Sequence, residues 1–302
     1  MDQLIDDFVQ DCALRDMATT TISHYSYCLK NFSTYLAGDD PTKVDKTSLR
    51  GFIEYLKRQG KSQKTVENYF SVLSTFFEYL AFEGHIVANP ILPVRKRYLR
   101  RYKDNNDGQS RKLISVEEMA RMINSTLDIR DKAVLVLLAK TGIRRNELVS
   151  LDVSDVDLIE NKIRLKPTAK RTNRTVFFDG ETAFTLRRWL KIRKSMNKKS
   201  NPALFLNADG DRLNRSGVYN LVVGAAKRVG LHDDNSDRLE DHLSPHCMRH
   251  WYCTHLFRAG MRREYIKELR GDSRKDAFDL YNHIDLKELR EAYLACIPQL
   301  GV

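Results

Sequence analysis

The chain has 302 residues, of which 42% are hydrophobic and 30% charged, and its formal net charge is +11. That length fits two domains, each large enough for its own core. The excess of Lys and Arg points to a polyanionic partner, and nucleic acid is the commonest. The five cysteines, Cys12, Cys28, Cys247, Cys253 and Cys296, are scattered and include no C-x-x-C pair, which argues against a disulfide framework and against structural zinc. The acidic, amphipathic start does not read as a signal peptide. The apolar stretch 133–139 is too short to span a bilayer. A soluble cytoplasmic protein is therefore expected.

Residues 1–92 read as a helical module. Leu4, Ile5 and Phe8 recur at helical spacing, and Tyr25, Cys28, Leu29, Phe32 and Tyr35 mark a second helix. Leu49, Phe52, Ile53 and Leu56 mark a third, ended by Gly60. Ser62 is a natural N-cap for a long stripe through Val66, Tyr69, Phe70, Leu73, Phe76, Phe77 and Leu80. Pro90 and Pro93 then stop helical structure. Residues 93–112 carry Arg95, Lys96, Arg97, Arg100 and Arg101 without an apolar period, and read as a basic linker that also meets DNA phosphates.

A second domain is predicted over 113–302. Ser115 with Glu118 forms a capping-box pattern. Residues 130–139 predict a buried central helix, interrupted at Thr141 and Gly142. Two strands, 161–165 and 174–178, flank a basic connection, and helices follow over 182–193, 215–229, 247–259, 262–270 and 287–295. The predicted class is mainly α with one small β-element. Neither a phosphate-binding glycine loop nor a metal-ligand motif is present in the sequence, so no cofactor and no metal are expected.

Chemistry concentrates in three places. In Thr141-Gly142-Ile143-Arg144-Arg145-Asn146-Glu147-Leu148, a Gly turn sets Arg144 beside a helix start, where an anion is favoured. In Ser244-Pro245-His246-Cys247-Met248-Arg249-His250, His246 and Arg249 lie one turn apart near a helix N-terminus, while His250 reads as structural. The third, Leu269-Arg270-Gly271-Asp272-Ser273, is followed by Tyr281, one tyrosine among 13.

This ordered set, G-I-R-x-x-E-L, a hairpin with Lys, H-x-x-R, L-x-G-x-S and then Tyr, resembles the catalytic domain of the tyrosine recombinase, or phage integrase, family. Residues 1–90 resemble that family's N-terminal SAM-like core-binding domain. The resemblance implies that Arg144 and Arg249 clamp the scissile phosphate, that His246 exchanges a proton, and that Tyr281 is the nucleophile forming a 3′-phosphotyrosyl bond. It also implies a hairpin lysine that protonates the departing 5′-oxygen. Lys170 is preferred for this role, with Lys166 as the alternative; Lys166 and Arg171 are then phosphate contacts. Asp272 stands where the family usually has His or Trp; an ionised carboxylate cannot donate to phosphate, so it is read as orienting Arg144 or Arg249.

The implied activity is site-specific recombination, for integration, excision or resolution of replicon dimers. The implied partner is double-stranded DNA, gripped between the two domains by a homo-oligomer, expected to be a tetramer on two synapsed sites, with the tail helix docking on a neighbouring subunit. Two alternatives share the scaffold: a type IB-like topoisomerase and a catalytically idle DNA-binding protein.

Overall fold

The computed structural model describes residues 1–99, 113–167, 174–272 and 284–302. The chain divides into two compact units, Met1–Asn106 and Asp107–Val302. Each has its own apolar core, and no buried residue belongs to both.

Among its described residues the first unit packs four long helices, α1 (Asp2–Leu14), α2 (Thr19–Leu36), α3 (Lys46–Arg58) and α4 (Gln63–Phe82). Their starts are written locally: the Asp45 carboxylate accepts from the Thr47 and Ser48 N–H groups, and the Ser62 hydroxyl accepts from the Thr65 N–H. Phe8, Phe32, Phe52, Phe70, Phe76 and Phe77 are buried together. Phe32 meets Phe52 edge-on at 4.8 Å between ring centroids. Helical structure does not end at the prolines. A short α5 (Ile91–Val94) runs into a π-helical turn over Arg95–Leu99, and Ile91, Val94 and Leu99 enter the core. Pro93 falls within the first helical turn, where a missing N–H costs nothing. The stretch read as the start of the linker is therefore partly core.

In the second unit, α6 (Val116–Asn124) opens on the anticipated capping box, with Ser115 and Glu118 satisfying each other's N–H groups. The centre is α7 (Ile129–Thr141), buried continuously from Ala133 to Thr141, as befits a helix apolar on all sides. Around it lie α8 (Arg145–Ser150), α9 (Gly180–Met196), α10 (Arg215–Arg228), α11 (Pro245–Arg258), α12 (Arg263–Arg270) and α13 (Leu286–Cys296).

The β-element has three strands, β1 (Val156–Asp157), β2 (Lys162–Leu165) and β3 (Arg174–Phe177), antiparallel in that order. Two residues are too few for an apolar alternation, so β1 leaves no sequence signal. In the β2–β3 register Ile163 faces Val176 and Leu165 faces Arg174. No helix of the described residues is long and apolar enough to cross a membrane.

In the C-terminal segment, Leu289, Tyr293, Ile297 and Leu300 are buried in the core of their own unit. A polar lock fastens the segment there. Lys140 of α7, fully buried, donates to Asp179 and Glu181, each at 2.5 Å, and to the Pro298 carbonyl at 2.6 Å. Glu181 in turn accepts from the Leu300 and Gly301 N–H groups, and the Tyr293 hydroxyl donates to the Lys140 carbonyl. Burial alone would raise the Glu181 pKa, but the Lys140 bond and the tail N–H groups outweigh it and hold the group below its ordinary value.

Removing one member of such a buried ion cluster leaves the others uncompensated. Lys140→Met should cost about 3–5 kcal/mol and expose the C-terminal residues to carboxypeptidase. Denaturant unfolding and digestion measure both; a wild-type midpoint with a protected tail would contradict the lock.

Candidate active site

The site is assembled at the C-terminus of α12. Gly271 adopts a left-handed conformation (φ 62°), with the Gly271 N–H bonded to the Glu268 carbonyl and the Asp272 N–H to the Lys267 carbonyl. This closes the helix in a Schellman-type turn and leaves its last carbonyls facing outward. Those oxygens carry the negative end of the helix dipole, and three guanidinium groups converge on them. The Arg270 carbonyl accepts from Arg144 Nη1 at 3.0 Å and from Arg249 Nη2 at 2.7 Å. The Leu269 carbonyl accepts from Arg174 Nε at 3.0 Å.

Arg249, on the first turns of α11, is only 6% exposed and also donates to the Gly142 carbonyl at 2.6 Å. That carbonyl is presented by another tight turn. Gly142 has φ 58°, and a Cβ there would lie 2.2 Å from the Tyr252 ring. Burial draws the Arg249 pKa below its ordinary value, with weaker opposing help from Cys253 and Glu147. A guanidinium stays charged regardless. Its hydrogen-bonding partners are thus neutral carbonyls, and Asp272 Oδ1 stands 3.9 Å away, beyond hydrogen-bonding reach.

Arg144, at the N-cap of α8, is less deeply set, with its side chain 30% exposed. Its backbone N–H donates to Glu147 Oε2 at 2.6 Å, and its Nη1 reaches Glu147 Oε1 only at 3.4 Å. Glu147 is buried and engaged more closely by Arg174, through Nη1 to Oε1 at 2.7 Å and Nη2 to Oε2 at 2.9 Å. Asp272 Oδ1 is 3.9 Å from Arg144 Nη2 as well, and Asp272 Oδ2 is 3.3 Å from the buried Arg270 Nε without hydrogen-bond alignment. The carboxylate therefore lies among three guanidinium groups at distances that balance charge without saturating donors.

Beside this cluster opens a cavity of about 400 Å³ whose walls include His246, Arg249, His250, Cys253, Lys267 and Arg270. His246 is exposed on the first turn of α11. His250, read from the sequence as structural, is exposed one turn further and lines the same cavity, because a spacing of four keeps both on one helix face. Burial pushes the Cys253 thiol up more than the Arg270 and Arg249 charges draw it down, so it is not a nucleophile at neutral pH.

Lys166 lies at the end of β2. Its ammonium bonds Asp152 Oδ2 at 2.5 Å and stands 3.4 Å from Asp155, and the Asp152 bond outweighs burial to raise its pKa. Its charge is met within the protein, which favours neither transfer of its proton nor a phosphate contact. Lys170, Arg171, Arg100, Arg101 and Tyr281 lie outside the described residues. Of the other tyrosines in this unit, Tyr252 and Tyr293 are raised by burial, and Tyr265 is raised by its bond to Glu288. On the first unit, Lys64, Asn68 and Ser71 of α4 share an open groove of about 880 Å³ with Arg95 and Lys96.

Sequence reasoning passed over Arg174. The signal available was strand alternation, which sets Arg174 on the same buried face as Val176 and so demands an internal counter-charge. Gly271→Ala should be costly because a Cβ would meet Arg174 Nη1 at 2.6 Å and Cδ at 2.7 Å in a left-handed backbone. Thermal unfolding should register a loss of about 1–3 kcal/mol; an unchanged melting temperature would contradict the turn geometry.

The profile of the Phage integrase family matches residues 112–288, and that of the phage integrase N-terminal SAM-like domain matches residues 4–83. Tyrosine recombinase XerD of Oceanobacillus iheyensis is 28% identical, covering 99% of both chains. Tyrosine recombinase XerC of Thermodesulfovibrio yellowstonii is 31% identical over 90% of this chain and 88% of its own. Among solved structures, a lambda integrase dimer bound to a COC′ core site superposes with a TM-score of 0.72 at 16% identity, covering 95% of this chain and 99% of the other. The Tn1549 transposon integrase in complex with transposon right end DNA gives 0.72 at 19%, covering 95% and 97%. At those identities the two structures speak to fold.

Proposed function

The chain belongs to the phage integrase family and is a site-specific tyrosine recombinase that breaks and rejoins DNA strands, and from this we propose that it works through a covalent 3′-phosphotyrosyl intermediate on Tyr281. The observation that carries the reading is the gathering of Arg144 and Arg249 on the Arg270 carbonyl. Two guanidinium groups are thereby fixed side by side, each with donors to spare, and one is buried without a close carboxylate. That arrangement suits the two nonbridging oxygens of a phosphodiester and the charge that grows on them as the phosphorus becomes five-coordinate.

In the proposed reaction the Tyr281 oxygen attacks phosphorus and the bond to the 5′-oxygen breaks. Lys170 gives its proton to that departing oxygen, leaving a free 5′-hydroxyl. His246, on the cavity wall beside Arg249, accepts the phenolic proton of Tyr281 as its oxygen attacks. Asp272 orients the two arginines and does not touch the phosphate. Attack by a 5′-hydroxyl from another strand reverses the steps and releases Tyr281, so the phosphoester bond is conserved without ATP. The named relatives are recombinases and integrases, which favours strand exchange over relaxation of supercoils.

Double-stranded DNA is the partner, and the working assembly is a tetramer on two synapsed sites. Residues 1–92 form the core-binding domain and 113–302 the catalytic domain. Arg95, Lys96 and Arg97, with Arg100, Arg101 and Arg171, meet phosphates in a cytoplasmic, DNA-associated protein. The α4 groove beside Arg95 and Lys96 supports this.

The test begins with sites selected from random-sequence duplexes, each rebuilt with a nick near the cleavage point so that the released fragment diffuses away. Wild type should accumulate a denaturant-resistant protein–DNA adduct and Tyr281→Phe none. Binding should weaken linearly in log–log terms with salt, with a slope of about −0.9 per phosphate contacted. A wild-type protein that binds its selected site but forms no adduct would sink the proposal.

A further inference from the structure

Arg174 is the third guanidinium that bonds a carbonyl at the end of α12. It is 8% exposed, and among the described residues its hydrogen bonds are two to Glu147 and one to the Leu269 carbonyl. We propose that Arg174 is a positioning residue for DNA cleavage, which occupies Glu147 so that the Arg144 guanidinium is left for the phosphate, and which holds the α12 terminus where the next carbonyl gathers both clamp arginines.

The first half of the proposal follows from competition for one carboxylate. Glu147 is buried and has two cations within reach. Arg174 takes both oxygens at 2.7 and 2.9 Å in a fork-on-fork pair, whereas the Arg144 side chain approaches one oxygen at 3.4 Å. Without Arg174 the buried carboxylate would have only Arg144 to neutralise it, and a buried charge draws in any available partner. Arg144, with its side chain 30% exposed, has room to move inward. It would then leave the Arg270 carbonyl and the place beside Arg249.

The second half follows from packing. Arg174 Nε fixes the Leu269 carbonyl, and the Arg174 side chain lies so close to Gly271 that no Cβ fits between them. Leu269 directly precedes Arg270 in the chain, so fixing one carbonyl constrains the peptide that carries the next. Arg174 is also the first residue of β3, held in register opposite Leu165. One side chain thus ties the sheet, the start of α8 and the end of α12 together. The bidentate fit and the Nε bond together need a guanidinium; an ammonium supplies the charge but not the fork.

The proposal rests on the clamp role of Arg144, so the experiment separates the two. Single-turnover adduct formation on the nicked duplex is measured at saturating DNA for wild type, R144A, R174Q, R174K and the double variant E147Q/R174Q, with DNA affinity and melting temperature taken on the same preparations. R174Q should cleave on the order of 100-fold more slowly, the scale of a reacting group displaced by about an ångström, while DNA affinity stays at the wild-type value. R174K should fall between R174Q and wild type. E147Q/R174Q should cleave faster than R174Q, because a neutral amide no longer draws Arg144 inward.

A folded R174Q that cleaves at the wild-type rate overturns the proposal, as does a double variant no faster than R174Q. If R174Q does not fold, R174K carries the test, and cleavage by it at the wild-type rate overturns the proposal. A normal rate with R144A would instead remove the clamp reading. A slow R144A beside a normal R174Q removes only the inference about Arg174.

Discussion

The catalytic unit depends on one backbone oxygen. The carbonyl of Arg270 accepts hydrogen bonds from Arg144 and from Arg249, two residues 105 positions apart that come from different helices. Like charges do not approach one another unaided, and a carbonyl at a helix C-terminus supplies the attraction that brings them together. The turn that exposes it requires a left-handed residue with no side chain, and Gly271 meets that requirement. The nearby Gly142 turn does the same on the other side, offering its own carbonyl to Arg249.

The placement of negative charge is equally specific. A carboxylate bonded directly to Arg249 would stabilise the empty protein and compete with the phosphate. Instead Glu147 is committed to Arg174, and Asp272 is held 3.9 Å from both clamp residues. At that distance a carboxylate lowers the mutual repulsion of the arginines without occupying their donors. That placement is consistent with the orienting role proposed for Asp272, which cannot donate to a phosphate when ionised.

Much of this was legible in the sequence, for identifiable reasons. Helix starts such as Ser62 and Ser115 are encoded within four residues, and the central helix α7 is apolar on every side. Arg144, His246 and Arg249 could be singled out because their chemistry is carried by residue type in a fixed order. What escaped depends on partners distant in sequence. The inward packing of Leu99 overrides the polar look of its basic neighbours. The tail is retained by Lys140, whose burial no local pattern announces. The grip of Arg174 on Glu147 spans 27 positions and emerges only when β3 lies against α8. Backbone acceptors were the least visible of all, because any residue can supply a carbonyl.

The reliance on carbonyls has a further consequence. Carboxylates and imidazoles change charge within the range of pH that proteins encounter, but an amide oxygen has no proton to gain or lose there. The principal hydrogen bonds that place Arg144 and Arg249 join guanidinium groups, always protonated, to amides that never are. The bonds that hold Arg249 are therefore insulated from acidity, whereas Arg144 also leans on the Glu147 carboxylate, which accepts its backbone N–H. The hold on Arg249 thus keeps one form across pH, and the carboxylates around Arg144 are where acidity can reach the cluster.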